Sequence, residues 1–259
     1  MPRSIAGTFR ADSGRGFRGN RGSNLGSHYD RALAATFAEV NLRRPGQERL
    51  WFDPGYVFRI QSQERMFLAA LGARGFQNLR GKKILDIGCG LGYWMRRCRE
   101  WGADPQDIHG IELLDDRVAA ARRQCDPRMH IACGNAMNLA FRSESFDLVV
   151  MFLVLSMIPE RAVRTRIADE AARVLKPGGV VLWYDFRYRP WREPEMIGMP
   201  RGEIARCFPG FDLKIKSASA LPPLTRRLAP YIWSLSWLDH LKVLNTHNVG
   251  TMLKPLAKR

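Results

Sequence analysis

Three glycines follow an apolar segment at a place where a chain can hold a charged ligand. The segment KILDIGCGLGYW, residues 83–94, runs from Asp86 through Gly88, Gly90 and Gly92. Glycines at a turn from strand to helix adopt positive φ angles and let a ligand approach the backbone closely. The free amide groups at the start of the next helix favour an anionic group. The segment therefore predicts a cofactor-binding loop.

Glu112 adds a carboxylate at the end of the next apolar segment, HGIEL. A carboxylate at this place can accept hydrogen bonds from both hydroxyls of an adenosine ribose. Taken singly, Glu112 could also be a solvated acid at a strand end. Together with the loop, it favours a nucleoside cofactor. The glycines read G-x-G-x-G, which differs from the G-x-G-x-x-G fingerprint of dinucleotide-binding proteins.

The surrounding chain alternates short apolar segments with helical patterns. Strands are predicted over 83–87, 108–113, 129–133, 146–152 and 180–186, with helices over 93–101, 117–124 and 162–175. Two later strands, over 211–217 and 249–254, complete the set. Such alternation is typical of a parallel sheet with right-handed crossovers. We therefore predict an α/β fold, a doubly wound, seven-stranded and mostly parallel sheet.

The glycine segment resembles the first motif of class I S-adenosylmethionine-dependent methyltransferases, and three later segments extend the resemblance. GNAMNLAF (134–141) is similar to the family's segment after the third strand. SFDLVVMFLVL (145–155) and EAARVLKPGGVVLWYDF (170–186) are similar to its fourth and fifth strands. The resemblance covers residues 79–186. It implies a Rossmann-like methyltransferase fold and S-adenosyl-L-methionine as the cofactor.

The resemblance also implies roles for single residues. Asp86 would fix the loop and reach the methionine amino group, and Glu112 would hold the ribose. Asn135 and Ala136 would meet the adenine. Many family members have Asp where this chain has Asn135, but an amide carbonyl can still accept from the adenine amino group. The other expected cofactor contacts are Gly88, Cys89, Gly90, Gly92, Leu113, Met137 and Phe152, with a core role open for Leu113 and Met137.

Two polar residues are candidates for the chemistry. Methyl transfer to a hydroxyl needs alignment of the acceptor and a group that takes its proton. Asp185, at the end of the fifth predicted strand, is the first candidate, with a structural acid paired to Arg187 as the alternative. His247 is the second, because an imidazole has a pKa near 6.5, although a lone His is often structural. No His, Asp and Glu cluster has metal-ligand spacing, so we expect no metal.

The acceptor is predicted from weaker signals. The fourth strand is not followed by N-P-P-[YF], the family's usual signature for methylating planar nitrogens. FDPGYVFRIQSQER (52–65) and WYDFRYRP (183–190) resemble bacterial members associated with polysaccharide and glycan assembly. This resemblance implies O-methylation of a sugar or glycan hydroxyl, free or lipid-linked. A quinone or natural-product O-methyltransferase, an RNA methyltransferase and a non-catalytic scaffold remain alternatives.

The charge is uneven. The chain has a net charge of +16, and residues 187–259 carry 13 basic and 5 acidic side chains. Such a bias suggests an anionic partner, although a merely basic surface would give the same count. Residues 218–244 interleave Arg with Trp, Tyr and Leu, which predicts either a packed helix or one lying on an anionic membrane surface. We expect no nucleic-acid partner, and the oligomeric state stays open.

The chain divides into three predicted parts. Residues 1–28, rich in Gly, Ser and Arg, are expected to be a disordered tail, with RNA contact as the alternative. Residues 29–78 form an N-terminal helical cover, with helices over 29–42 and 60–71. Residues 79–259 form the methyltransferase domain, with a helical insertion on the substrate side at about 187–247. Without a signal-like or membrane-spanning segment, we expect a cytoplasmic location, with peripheral membrane contact left open.

Overall fold

The computed structural model describes residues 51–190, 195–220 and 245–256. The predicted tail over 1–28, the helix over 29–42 and the segment 221–244 lie outside the described residues. In chain order the elements are α1 (Pro54–Gly72), β1 (Ile84–Ile87), α2 (Tyr93–Glu100), β2 (Ile108–Glu112), α3 (Asp115–Gln124), β3 (His130–Cys133), β4 (Phe146–Phe152), α4 (Arg161–Val174), β5 (Leu175–Phe186), α5 (Arg201–Cys207), β6 (Asp212–Ala220) and β7 (Asn245–Leu253).

The seven strands form one sheet in the order β3-β2-β1-β4-β5-β7-β6. β1 to β5 pair in parallel, and β7 runs antiparallel to both of its neighbours. The prediction of a doubly wound, mostly parallel seven-stranded sheet is confirmed. From β1 the chain builds outward to β3 and then returns to β4 on the other side. Ligands of such sheets bind where the order reverses, here between the carboxyl ends of β1 and β4.

Helices cover both faces of the sheet. One face packs against α1 and α2 through buried Phe67 and Met95. The other face packs against α4 and α5 through Ile167 and Ile204. All four residues of β1 are buried, as expected for a central strand covered on both sides. A carboxylate in this strand, Asp86, is therefore held away from water.

Helix α1 begins earlier than predicted. The helix was predicted over 60–71, but the Asp-Pro-Gly segment at residues 53–55 already starts it. Asp53 caps it by accepting hydrogen bonds from the N–H groups of Gly55 at 2.8 Å and Tyr56 at 3.2 Å. Pro54 follows at the first helical position, where its missing N–H costs nothing. The sequence thus contains an N-terminal capping signal, and the predicted start of the helix at residue 60 was wrong.

The end of the sheet also differs from the prediction. β7 begins at Asn245 rather than at residue 249, so His247 lies in a strand. β5 spans Leu175–Phe186 rather than 180–186, because the Lys-Pro-Gly-Gly segment continues it. The predicted insertion over 187–247 therefore contains β6 and the start of β7, and its described part is not all helical. The division of the chain into domains stays a prediction.

In the parts of the chain that the structure describes, every helix is too short or too polar to cross a membrane. The location of the protein stays a prediction.

Candidate functional site

The glycine loop folds tightly against β2. Gly88, Gly90 and Gly92 have φ angles of 72°, 57° and 73°, which favour glycine. The N–H groups of Gly88 and Cys89 donate to the Ile111 carbonyl at 2.8 and 3.1 Å. The loop therefore lies across the carboxyl end of the neighbouring strand.

Gly88 is also restricted by space. A Cβ atom at this position would lie 2.9 Å from Cγ2 of Val154, which follows β4. This contact is too close for a carbon pair, whose best separation is about 3.5–4.0 Å. Glycine is thus required here both by backbone conformation and by the approach of the β4 exit.

Glu112 contacts the loop directly. Its Oε2 accepts a hydrogen bond from the Gly90 N–H at 2.9 Å, and its Oε1 accepts from the N–H groups of Leu113 at 2.9 Å and Leu114 at 3.2 Å. The carboxylate is 6% exposed. Each carboxylate oxygen has more than one acceptor site, so these bonds leave capacity for a ligand hydroxyl. The structure therefore brings the predicted loop and the predicted acid together.

Asp86 lies beneath the loop in β1 and is 4% exposed. Burial, with the negative charge of Glu112 as a second cause, raises the pKa of this carboxyl well above its usual range. In the described part of the chain, no hydrogen bond is seen to its oxygens. A cationic group placed beside Asp86 would relieve both the desolvation and the repulsion between the two acids.

Arg117 is a site residue that the sequence analysis missed. Its Nη1 lies 4.0 Å from Oε2 of Glu112. Its Nη2 lies 2.7 Å from the point that a Cβ at Gly90 would occupy, so the guanidinium covers the loop. Sequence reasoning gave it no role, because its place depends on α3 beginning at Asp115.

The segment after β3 lies beside Glu112, since the Gly134 N–H donates to the Glu112 carbonyl at 3.0 Å. Asn135 stabilises a turn there, with its Oδ1 accepting from the Met137 N–H at 2.8 Å. Asn135, Ala136 and Met137 are half-buried. Their predicted contact with adenine stays a prediction.

Two further cofactor candidates differ in exposure. Leu113 is half-buried beside Glu112. Cys89 is buried, and its Sγ lies 2.8 Å from where a Cβ at Gly110 would be, so the thiol packs against β2. Burial raises the pKa of the thiol, which keeps it neutral. Any contact of Cys89 with a ligand would therefore come from its backbone.

The β4 exit is a constrained segment. Leu153 has a φ of 56°, which is uncommon for a residue other than glycine and is often found at functional sites. Its N–H donates to the Tyr184 carbonyl at 2.8 Å. Phe152 stacks on Phe67 of α1 at 4.3 Å and meets Trp94 of α2 edge-on at 5.2 Å. Phe152 thus holds both helices on the sheet, and its cofactor contact stays a prediction.

Asp185 is fully buried and accepts four N–H hydrogen bonds. Three reach Oδ2, from backbone Leu155 at 3.1 Å, backbone Ser156 at 3.2 Å and the Trp183 indole at 3.3 Å. The fourth comes to Oδ1 from the Phe186 N–H at 3.3 Å. Burial raises its pKa to about 6, within reach of a general base. Its occupied oxygens favour a role in positioning the β4 exit, and proton acceptance stays a prediction.

His247 lies opposite Phe186 in the register of β5 and β7. Its ring stacks on Tyr184 at 4.8 Å, and its Nδ1 is 2.8 Å from Oγ1 of Thr246. Burial, with Arg59 as a second cause, lowers its pKa to about 3. A neutral ring with so low a pKa is a weak base, and it packs here as an aromatic ring against Tyr184. Its catalytic role stays a prediction.

The two catalytic candidates do not meet. Side chains alternate along a strand, so Asp185 faces one side of the sheet while Phe186 and its partner His247 face the other. Tyr184 shares the face of His247, and its hydroxyl accepts from Nε2 of Gln63 in α1 at 2.8 Å.

In the described ranges, no group of three or more His, Cys, Asp or Glu side chains could hold a metal ion. Independence from metals stays a prediction.

Known proteins share parts of this chain. Residues 84–179 match a family model described as a methyltransferase domain. A demethylmenaquinone methyltransferase of Bacillus pumilus is 27% identical over 127 residues, which are 48% of this chain and 51% of that protein. The chain thus spans about half the length of the curated relatives it matches.

Solved structures share the fold. An S-adenosylmethionine-dependent methyltransferase from Mesorhizobium loti aligns with a TM-score of 0.54 at 17% identity, over 72% of this chain and 96% of that one. Phosphoethanolamine N-methyltransferase 2 of Haemonchus contortus, in complex with S-adenosyl-L-methionine, aligns with a TM-score of 0.53 at 22% identity, over 74% and 52%.

Proposed function

We propose that this protein is a class I S-adenosylmethionine-dependent methyltransferase, which transfers the methyl group of S-adenosyl-L-methionine to an acceptor at the carboxyl edge of the sheet, since residues 84–179 match a methyltransferase domain. One observation carries the proposal. Glu112 accepts a hydrogen bond from Gly90 within a loop that also covers the buried carboxylate of Asp86. Asp86 and the loop come from β1, which borders the point where the strand order reverses and where such sheets bind ligands, and Glu112 ends the neighbouring strand β2.

The residues of this crevice fit the cofactor. Its ammonium needs a carboxylate, and Asp86 is a buried one to which no hydrogen bond is seen in the described chain. Its ribose needs an acceptor, which Glu112 supplies. The cofactor can approach the backbone closely only where there are no side chains, as at Gly88 and Gly90. A Cβ at Gly88 would also clash with Val154, and a Cβ at Gly90 would clash with Arg117.

The chain's own contribution is binding and alignment. The bound cofactor supplies a methyl group already activated on a sulfonium, so correct placement of the acceptor accounts for much of the rate. Asp86 would bind the methionine amino group of the cofactor, Glu112 would bind its ribose, and the turn of Asn135 would contact its adenine. The β4 exit, held by Asp185, would lie beside the bound donor.

The acceptor that we propose is a sugar or glycan hydroxyl, free or lipid-linked, and Asp185 and His247 are the candidates for taking its proton. The support is the resemblance of residues 52–65 and 183–190 to glycan-associated methyltransferases. Residues 54–65 lie in α1, which packs on the sheet beside Tyr184 and His247. A quinone acceptor is the second candidate, favoured by the likeness to demethylmenaquinone methyltransferases.

A labelling experiment tests the proposal. The full-length protein is incubated with cell extract and cofactor carrying a radiolabelled methyl group, and the product is fractionated into carbohydrate, lipid, RNA and protein. Label in carbohydrate supports the first acceptor, and label in a quinone fraction supports the second. Asp86→Ala serves as the inactive control. Cofactor binding without label in any fraction would indicate a scaffold, and absence of cofactor binding would overturn the proposal.

A further inference from the structure

A second, basic cavity lies at the same sheet edge as the glycine loop. It has a volume of about 900 Å³ and opens where β5 and β6 end and β7 begins. Three cations line it, namely Arg187, Arg201 and Lys216, together with the amides of Asn245 and Asn248. None of its described lining residues is acidic. Volumes of roughly 300–1,000 Å³ are typical of small-molecule sites.

Asn245 gives the cavity an unfulfilled polar group. The residue is 3% exposed, and its Nδ2 donates to Oγ of Ser217 at 3.2 Å. Its Oδ1 is buried and has no hydrogen-bond partner in the described part of the chain. Buried amide oxygens in proteins are nearly always paired, and leaving one unpaired costs about 1–3 kcal/mol. A ligand that donates a hydrogen bond here would satisfy it.

The lining cations are candidates for binding an anion. In the described ranges neither Arg201 nor Lys216 forms an ion pair, although other arginines such as Arg173 and Arg97 do. The Arg187 guanidinium lies over the Tyr188 ring at 4.8 Å from its centroid, which restricts its orientation. A planar guanidinium matches the oxygen geometry of a phosphate, and an ammonium adds a mobile positive charge.

We propose that this cavity binds a phosphoryl group of the acceptor, with Arg187, Arg201 and Lys216 on the phosphate and Asn245 on a neighbouring hydroxyl. The inference rests on the proposed methyl transfer, because it places the recognised substrate at the acceptor edge. It defines the substrate class as a hydroxylated phosphate ester. Such a group occurs in soluble sugar phosphates and in lipid headgroups.

The test measures binding of glycerol 3-phosphate and glycerol by calorimetry, with S-adenosylhomocysteine at saturation. The phosphate ester should bind at least tenfold more tightly than glycerol, and higher salt should weaken it. The double variant Arg201→Ala, Lys216→Ala should weaken glycerol 3-phosphate binding about tenfold or more, as expected for lost charge-assisted hydrogen bonds. Both side chains are exposed, so this variant should fold.

Two further variants sharpen the result. Asn245→Asp places a carboxylate beside the phosphate with little change of shape, and it should abolish binding of glycerol 3-phosphate. Arg123→Ala removes an exposed cation of α3 and should leave binding unchanged. Equal affinity of the double variant and the wild type for glycerol 3-phosphate overturns the proposal, and so does equal binding of glycerol.

Vesicles distinguish the two sources of phosphate. If phosphatidylglycerol vesicles bind the wild type but not the double variant, the phosphate belongs to a lipid headgroup. If the wild type binds glycerol 3-phosphate but does not bind the vesicles, the phosphate belongs to a soluble ester. Vesicle binding that survives in the double variant, with no binding of glycerol 3-phosphate, overturns the cavity as the site. Titrations with S-adenosylhomocysteine distinguish failure of the proposed methyl transfer from failure of the phosphate site. If the wild type does not bind S-adenosylhomocysteine, the proposed methyl transfer is overturned. If it binds S-adenosylhomocysteine normally but does not bind the phosphate ester, only the phosphate site is overturned.

Discussion

The two ends of the site are opposite in charge and in construction. At β1 and β2, buried Asp86 and Glu112 create a negative crevice out of one loop and two adjacent strand ends. At β5, β6 and β7, the cavity is lined by cations and amides from elements far apart in the sequence. The first end suits the cationic nucleoside that we propose as the cofactor. The second end depends on long-range packing, which allows it to differ between proteins that share the first.

The largest effect is expected from Glu112→Ala. The variant removes the acceptor for the Gly90 N–H and the proposed acceptor for the ribose, so cofactor affinity should fall by about 10- to 100-fold, or roughly 1.5–3 kcal/mol. Calorimetric titration with S-adenosylhomocysteine measures it. Asp116→Ala, an exposed acid of α3, is the matched control. An unchanged titration would show that the negative end does not hold the donor.

Asp185→Asn tests how strongly Asp185 holds the β4 exit in place. The carboxylate oxygens now accept hydrogen bonds from N–H groups, and the NH₂ group of an asparagine would face some of these donors instead. The free energy of unfolding should therefore fall by about 1–3 kcal/mol. Burial raises the pKa of Asp185 to about 6, so the stability of the wild type relative to the variant should decline as pH rises through that value. Chemical denaturation at several pH values measures both, with exposed Asp169→Asn as the control.

The same variant tests whether Asp185 takes part in methyl transfer. Cofactor affinity should stay nearly intact while methyl transfer slows. A fully active Asp185→Asn variant would exclude this residue as the base.

The pH dependence of cofactor binding tests whether the crevice at Asp86 and Glu112 is negatively charged when it binds the cofactor. The pKa of Asp86 is raised by burial and by Glu112, so the residue must lose a proton before it can pair with an ammonium. Affinity should therefore rise with pH until Asp86 is ionised in the free protein, with protons released on binding below that point. Asp86→Asn should bind more weakly and lose this dependence. A wild-type affinity that is flat across acidic and neutral pH would contradict the assignment.

Asp86→Asn should also stabilise the protein without cofactor. A raised pKa in the folded state favours the protonated form, so the ionised carboxyl lowers stability at neutral pH and a neutral amide does not. A gain of 1 kcal/mol would raise Tm by roughly 2–4 °C in a chain of this size.

The smallest effect is expected from His247→Phe. Its pKa of about 3 makes the ring neutral and a weak base, and a phenyl ring can keep the stacking on Tyr184. Cofactor affinity and transfer should be nearly unchanged, as measured by titration and initial rates. Loss of transfer with normal cofactor binding would instead make His247 the proton acceptor.

The sequence could predict the negative end because its geometry is local. The loop, Asp86 and Glu112 lie within two consecutive strand–helix units, so strand periodicity and glycine spacing place them. The other end depends on registers between β5, β6 and β7, which no local pattern specifies. Hence His247 was expected in an insertion although it lies in a strand. The left-handed Leu153 and the placement of Arg117 follow from tertiary contacts and leave no signal in residue type.

The crevice at the glycine loop has the rigid β4 exit on one side and the Arg117 side chain on the other. Leu153 is tied to Tyr184 through its backbone, and the next turn is tied to Asp185. On the other side, the long and partly exposed side chain of Arg117 can change rotamer at little cost. We therefore expect a ligand that enters the crevice to displace the Arg117 guanidinium rather than the strand.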